Sequence, residues 1–449
     1  MKPTLVIVNV CSVDVRNFSN ADRITYATAL GISVKGPRSK SNMKVCMVAY
    51  TYYEEDNRVM RYAETLAAQG DHVDVIALRH PDEQAYAEVQ GVNVFKIQTR
   101  IQNEKAKRSY LFRVVLFLLK SAWLLVRRHR RLHYDLIHVH SVPDFLVFAA
   151  LFPKLTGAKV ILDIHDVLPE FYASKFGVSR QSFVFKLLLI AEKVSAGMAD
   201  HVIIANDLWR ERLVARSVRP DKCTTILNFP DRRVFYHRRK ERRDERFVIL
   251  YPGSLGRHQG VDIAIRAFGQ ICDQAPHAEF HIYGDGGEKE KLINLAHELR
   301  LEHRVFIHNG VLLREIAEVI ADADLGLVPK RSDTFGDEAF STKTLEFMIL
   351  GVPLIVAATK IDRYYFNDSL VRFFRSGDED DLAGAMLELI RDLTLRQRLA
   401  RNGLQFANQY DWESNKGRYL DIVDSLVPER AAGNFKTRPS ATVGLRPQG

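Results

Sequence analysis

The segment GDEAFSTKTLEFM (336–348) sets two glutamates, Glu338 and Glu346, eight positions apart around a Ser-Thr pair. Ser341 or Thr342 is a good N-cap, and Gly351 with Pro353 a good stop, so the spacing predicts a helix over 342–350. Apolar runs flank it, LGLV at 325–328 and PLIVA at 353–357, and both read as strands. Strand, helix and strand in that order make a parallel crossover unit, and the same alternation extends along the chain in both directions.

In the first half, strands are predicted over 44–49, 73–78, 92–97, 136–140, 159–164 and 201–205, with a helix over 57–70 that closes on Gly70. The second half opens with FVILYPGS at 247, and strands follow at 279–283 and 304–308, with helices over 262–274, 288–299 and 313–323. A charged connector, RRVFYHRRKERRDER (232–246), divides the two series. A chain of 449 residues is too long for one core. The expected fold class is therefore α/β, two Rossmann-like doubly wound domains facing across a cleft, with ligands at the carboxyl ends of the strands.

The expected division is an appendage over 1–42, a first domain over 43–238, a second over 239–410, a C-terminal helix over 411–427 packing back on the first domain, and a disordered tail over 428–449. Within the appendage, TLVIVNVCSV (4–13) reads as a strand, because no plausible cleavage site follows it. The folded chain is expected to start at Met43, with the preceding residues an appendage or an overlong reading frame.

Hydrophobic residues make up 47% and charged residues 27%, the balance of a folded, water-soluble protein. Cys11, Cys46, Cys223 and Cys272 have no Cys-x-x-Cys spacing, so free thiols in a reducing, cytoplasmic setting are expected rather than disulfides or structural zinc. The net charge of +9 concentrates in 105–131 and 232–246 without any recognisable nucleic-acid-binding signature, so no nucleic-acid partner is expected. The first basic concentration surrounds YLFRVVLFLLKSAWLLVRRHRR (110–131). A spanning helix needs about 20 apolar residues, and Arg113 and Lys120 interrupt this run at ~2.5–3.5 kcal/mol each. Residues 105–131 are expected to contact an anionic membrane peripherally, on the inner face of the plasma membrane; a core helix with a charged end is the other reading.

Candidate ligand groups gather at predicted strand ends in the second half. YPGSLGRHQG (251–260) and YGDGGE (283–288) place glycines, Gly253 and Gly284 among them, directly after apolar strands, where backbone can approach a ligand and offer N–H groups to an anion. Tight turns need glycine anyway, and a carboxylate near a helix start is favourable in itself by ~0.3–1 kcal/mol. Two such loops beside a helix start with free N–H groups shift the reading towards an anion site. A diphosphate held there leaves a nucleoside on one side and a sugar on the other, and each presents vicinal hydroxyls that a carboxylate accepts well.

The Glu-x7-Glu pattern, taken with YPGSLGRHQGVDIAIRAF, FHIYGDGGEKEKL and ADADLGLVPK, resembles the retaining glycosyltransferases of family 4, which have the GT-B fold. AETLAAQGDHVDVIAL, DLIHVHSVPDF, VILDIHDVLPEFY and ADHVIIANDLWRERL, with Asn228 in TTILNFPDRRVF, are similar to that family's acceptor-side domain. The resemblance implies transfer of a sugar from a nucleotide-diphosphate sugar to an acceptor, lipid-linked or glycan, in bacterial envelope or exopolysaccharide assembly. No metal and no other cofactor is expected. By the same resemblance Glu346 holds the ribose, the amides of Ser341, Thr342 and Lys343 take the phosphates, Gly253, Ser254, Gly284, Val311 and Leu312 complete the donor site, Glu338 orients the donor sugar, and His165 faces it.

Two departures from the family stand out. Its usual Arg-Lys pair is replaced by Ser254 and Gln259, so the leaving diphosphate is expected to meet Arg257 or Lys330, with Lys343 third. Its glycine-rich loop after the first strand is replaced by TYYEEDNR (51–58), leaving Arg58 as a substitute for acceptor phosphate contacts. Asp324 of the Asp322-x-Asp324 pair reads as a turn residue, and His138 and His140 lack carboxylate neighbours in sequence, so neither is read as a metal site. A nucleotide-sugar epimerase of the same shape and a degenerate, non-catalytic assembly partner remain alternatives. A retaining glycosidase fits less well, because its carboxylates face each other at about 5–5.5 Å.

Overall fold

A computed structural model of the chain describes residues 42–99, 107–238, 244–333 and 335–428. The expected strand at 4–13, the middle of the connector and all of the expected tail beyond Pro428 lie outside the described residues.

Two sheets form. The first has eight strands, β1 (Lys44–Ala49), β2 (His72–Arg79), β3 (Tyr86–Val89), β4 (Val92–Thr99), β5 (Leu136–His140), β6 (Lys159–Ile164), β7 (His201–Ile204) and β8 (Cys223–Thr225), in the order β3-β4-β2-β1-β5-β6-β7-β8. The second has six, β9 (Phe247–Pro252), β10 (Ala278–Tyr283), β11 (Val305–His308), β12 (Leu325–Val328), β13 (Leu354–Ala357) and β14 (Arg372–Phe374), in the order β11-β10-β9-β12-β13-β14. Among the described residues only β3 runs antiparallel, in a hairpin with β4 that turns through Gln90 and Gly91, both at positive φ. The strand order reverses direction beside β1 in one sheet and beside β9 in the other, which makes each a doubly wound sheet with helices on both faces. Central strands are accordingly buried along their whole length, as in LIHVH of β5.

Each predicted strand inside the described residues is present to within two residues at either end. The sequence reading missed β3, β8 and β14, edge strands of four, three and three residues that are too short to show a period. The helix expected over 342–350 is Thr342–Leu350, closed by Gly351 in the left-handed region.

One apolar cluster joins the domains. It runs from Val45, Val75 and Val94 of the first sheet, through Trp412, Tyr419 and Val423, to Leu250, Leu354 and Val356 of the second. The helix Trp412–Leu426 therefore lies against the first domain although it follows the last helix of the second. Its Trp412 Nε1 donates to Thr65 Oγ1 at 2.9 Å, and the Tyr419 ring sits 4.3 Å from that of Tyr62.

The structure corrects the expectation for Arg58. Its Nε and Nη2 each donate to a different oxygen of Asp163 at 2.7 Å, and Nη1 donates to the Ile226 carbonyl at 2.8 Å. Standing in the first turn of the helix Asn57–Ala68 at 3% exposure, it cross-links β6 to the chain beyond β8.

The loops after β9 and β10 touch backbone to backbone. A Cβ on Gly284 would come within 1.9 Å of the Gly253 carbonyl oxygen, whereas one on Gly287 would meet open space. Gly284→Ala is thus expected to destabilise the second domain by about 1–3 kcal/mol through forced displacement of backbone, with Gly287→Ala much milder in the same urea titration. Arg58→Ala, which strips the buried Asp163 of its guanidinium and leaves only His140 and His165 against it, is expected to lower the stability of the first domain by about 3–5 kcal/mol in the same assay.

Candidate active site

The helix Thr342–Leu350 begins where β12 delivers the chain to the domain boundary. Ser341 holds the N-cap position in extended backbone, yet its side chain makes no capping bond, and its buried hydroxyl has no protein partner. A helix start with an unused buried hydroxyl is a site made for an anion. Two positions on, the Lys343 side chain folds back over the loop that follows β9. Its Nζ lies 3.5 Å from Gln259 Oε1 and 5.4 Å from the centre of the Tyr251 ring. The stem passes so close to Gly253 that a Cβ there would come within 2.1 Å of Lys343 Cε, and Gly253 holds a φ of 142° that side chains disfavour.

Burial pushes the Lys343 amine down to about 8, with Lys330 adding to the shift and Glu346 opposing it. Glu346, one turn into the helix, hydrogen-bonds the Thr342 hydroxyl. Burial raises its carboxyl, against the pull of Lys343. Thr342, Lys343 and Glu346 thus form one coupled group at the helix start, beside Gln259, one of the two loop positions where a family cation is replaced.

The other expected donor-site residues are distributed around it. Ser254 is exposed, its carbonyl accepting from the Tyr251 hydroxyl at 2.9 Å. Arg257 is exposed in the short turn Arg257–Gln259, and its carbonyl accepts from Arg331 at 2.8 Å. Val311 and Leu312 expose their side chains after β11, in a loop held by a bond from the Gly310 amide to Asp285 at 2.8 Å. Lys330 departs from expectation: its buried amine lies 2.7 Å from Asp362 Oδ2 and 2.7 Å from the Ala339 carbonyl. Its charge is already matched, and it ties down the loop leading to the helix.

That loop, through residues 331–333 and 335–340, reaches across to the first domain. Phe335 is buried in the first domain's core, its ring centre 5.1 Å from Phe171 and 5.6 Å from Trp209. Ser174 donates to Asp333 at 3.2 Å, and Asn206 Nδ2 donates to the Glu338 carbonyl at 3.0 Å. Both carboxylate oxygens of Glu338 are engaged, Oε2 with Arg212 at 2.5 Å and Oε1 with Lys360 at 3.3 Å. Arg212, on the helix Asp207–Arg216, also reaches Glu170 at 3.0 Å. Sequence reasoning missed Arg212, Lys360 and Asn206. Only Asn206 carried a signal, since it precedes a helix that it caps through the Trp209 amide.

His165 follows β6 and is partly exposed, with Nε2 3.2 Å from Asp163 Oδ2 and 3.3 Å from His140 Nδ1. The reading of His138 and His140 as lacking a carboxylate is corrected here. Asp163 pairs with His140 across β5 and β6, and His138, His140 and Asp163 bring ligand-type atoms within 4.8 Å of one another. The guanidinium of Arg58 takes both Asp163 oxygens, so the group is ion-paired internally. Burial would raise the Asp163 carboxyl, but Arg58 and His165 hold it well below the usual carboxylate range. Burial lowers both imidazoles, keeping them neutral. Asp324 accepts from the Val248 amide at 2.9 Å, fastening β12 beside β9.

Two family profiles match side by side: "Glycosyl transferase 4-like domain" over residues 56–228 and "Glycosyl transferases group 1" over 233–406. The chain is 25% identical over 304 residues to the phosphatidylinositol N-acetylglucosaminyltransferase gpi3 subunit of Schizosaccharomyces pombe, covering 67% of this chain and 63% of that protein. It thus spans a little under two thirds of that relative's length. Sucrose-phosphate synthase from Thermosynechococcus elongatus is similar in structure at a TM-score of 0.72 and 18% identity, over 86% of this chain and all of that one. HepE from Anabaena, solved in complex with UDP-glucose, is similar at 0.64 and 17%, again over 86% of this chain and all of that one. At such identities the likeness shows the fold, two Rossmann-like domains of the GT-B type. With one profile on each domain, the chain belongs to the group 1, family 4-like glycosyltransferases.

Proposed function

We propose that the protein transfers a sugar from a nucleotide-diphosphate sugar to an acceptor, with the anomeric configuration retained. The observation that carries this reading is the Lys343 amine, folded over Gly253 to lie beside Gln259. It supplies a cation next to the loop whose sequence has lost its cation pair. In this reading the amides at the helix start and the Ser341 hydroxyl hold the diphosphate, Lys343 neutralises the charge that grows on it as the glycosidic bond breaks, and exposed Arg257 adds a second, looser charge. Fixed donors and a fixed cation at that point stabilise the transition state more than the ground state. Glu346 accepts the ribose hydroxyls, with Val311 and Leu312 beside the base. Glu338 orients the donor sugar from its seat against Arg212, and His165 borders the acceptor side. Positioning and charge stabilisation supply most of the rate, without a metal ion.

The acceptor in this reading is lipid-linked, met at the cytoplasmic face of a membrane during envelope or exopolysaccharide assembly. The name of the gpi3 relative, which pairs a sugar transfer with phosphatidylinositol, supports a lipid acceptor, and HepE's complex with UDP-glucose supports a uridine nucleotide donor. Among the described residues, no helix is long and apolar enough to cross a membrane. The helix Lys107–Leu132, apolar outward and ending in His129, Arg130 and Arg131, suits a peripheral contact instead.

Titration with UDP tests the site directly. Lys343→Met and Glu346→Gln are each expected to weaken binding by at least about tenfold, the loss of one charge-assisted bond, whereas Glu338→Gln lowers turnover with little change in UDP affinity. Wild-type behaviour in all three removes the assignment. Donor consumption that does not depend on acceptor would favour an epimerase.

The Lys343 amine also sets a pH dependence. It is charged below about 8 and neutral above, while the terminal phosphate, with a pKa of about 6, is already ionised there. UDP affinity should therefore fall as pH rises through about 8, by up to about tenfold per unit until the pKa of the complex is reached. Lys343→Arg should flatten the profile, and a wild-type profile that is flat from about pH 7 to about pH 9.5 would count against the cation.

A further inference from the structure

Most of the exposed large apolar side chains among the described residues lie on one layer of the first domain. The crossovers β4 to β5, β5 to β6 and β6 to β7 all step in the same direction along the sheet, so right-handed connection puts their helices on one face. Val114, Phe117 and Leu125 of the helix Lys107–Leu132 and Ala196 of the helix Phe183–Met198 share one core cluster beneath that layer. On the outside of the first helix, Phe112, Val115, Leu119 and Trp123 are exposed at spacings of three and four, opposite its buried side. On the second, Phe183, Leu187, Ile190 and Val194 repeat the pattern, with Phe183 80% exposed. Leu151 and Leu155, on the short helix between β5 and β6, are exposed on the same layer.

The charges are one-sided. Lys120 and Arg127 stand exposed on the first helix, and Lys186 and Lys193 on the second. The two helices contain a single acid, Glu192, which is buried and paired with Arg216 at 2.5 Å. A soluble monomer rarely leaves so extended an apolar face open to water. Two copies meeting through it would set lysine against lysine, because a two-fold interface brings a patch against itself.

We propose that this two-helix layer is a docking surface for an anionic lipid bilayer, with the helix Phe183–Met198 lying in the interface beside Lys107–Leu132. The apolar side chains enter the boundary between headgroups and acyl chains, and the lysines and arginines meet the lipid phosphates. The inference deepens the membrane contact proposed above and rests on it for the choice of lipid as partner.

The test mixes full-length protein with vesicles of phosphatidylcholine, alone or with phosphatidylglycerol, and reads the bound fraction at low and high salt. The expected result is binding to the phosphatidylglycerol vesicles that falls with salt. Leu187→Glu with Ile190→Glu should lower it by at least about tenfold, and Lys186→Glu with Lys193→Glu by about tenfold. The free protein should be monomeric by light scattering, and both variants should bind UDP as wild type does. Wild-type protein that binds neither vesicle overturns the proposal, as do Leu187/Ile190 variants that bind as well as wild type. A wild-type dimer that the same substitutions dissociate overturns it in favour of a second copy of the chain. UDP titration of the same samples is scored separately, so loss of the donor reading and loss of the bilayer surface are distinct outcomes.

Discussion

One loop, through residues 331–333 and 335–340, is built into both domains at once. Two parallel sheets that each bury both faces under their own helices have no intrinsic reason to meet in a particular orientation. Here Phe335 supplies one. Its burial in the first domain's core is worth about 1.5–3 kcal/mol, and the pairing of Glu338 with Arg212 adds to that hold, although on withdrawal Glu338 would keep Lys360 and Arg212 would keep Glu170. The helix Thr342–Leu350 starts immediately after this loop, so the placement of its open N-terminus follows from where Phe335 and Glu338 are held.

Charge within an otherwise core-like segment is tolerable because almost every ionic group there has a counterpart. Lys330 answers Asp362, Glu338 answers Arg212 and Lys360, and Lys343 faces Glu346 at the helix start. Left over in the polar bookkeeping of this segment are the buried hydroxyls of Ser341 and Thr344. In a site that balances its own charges, an entering anion exchanges partners rather than meeting a bare cation.

The alternation of strands and helices was legible because parallel strands leave continuous apolar runs and glycine marks their ends. Gly253 and Gly284 were readable as close-approach positions for the same reason. The short edge strands β3, β8 and β14 were not, since three or four residues cannot display a period. Among the site residues, spacing located Glu338, Glu346 and the helix start but said nothing about partners distant in sequence. Arg212 lies 126 positions from Glu338, and its role depends on how two domains dock. Arg58 shows the converse: its position in the first loop suggested a ligand contact, whereas a carboxylate on β6 and a carbonyl beyond β8 hold its guanidinium inside the domain. Lys343 was a minor candidate in sequence because nothing local tells which way a lysine stem will fold; the absence of a side chain at Gly253 makes room for it.

The helix Trp412–Leu426 returns the chain to the first domain after the second is complete, so covalent backbone crosses between the domains twice, once through the connector after β8 and once before Trp412. Two anchored crossings define an axis, as two pins define a hinge. Sliding and twisting of one domain over the other would stretch one crossing or the other, while rotation about the line joining them would not. The rotation that two such crossings would leave free is the one that Phe335 and the Glu338–Arg212 pair oppose from across the boundary.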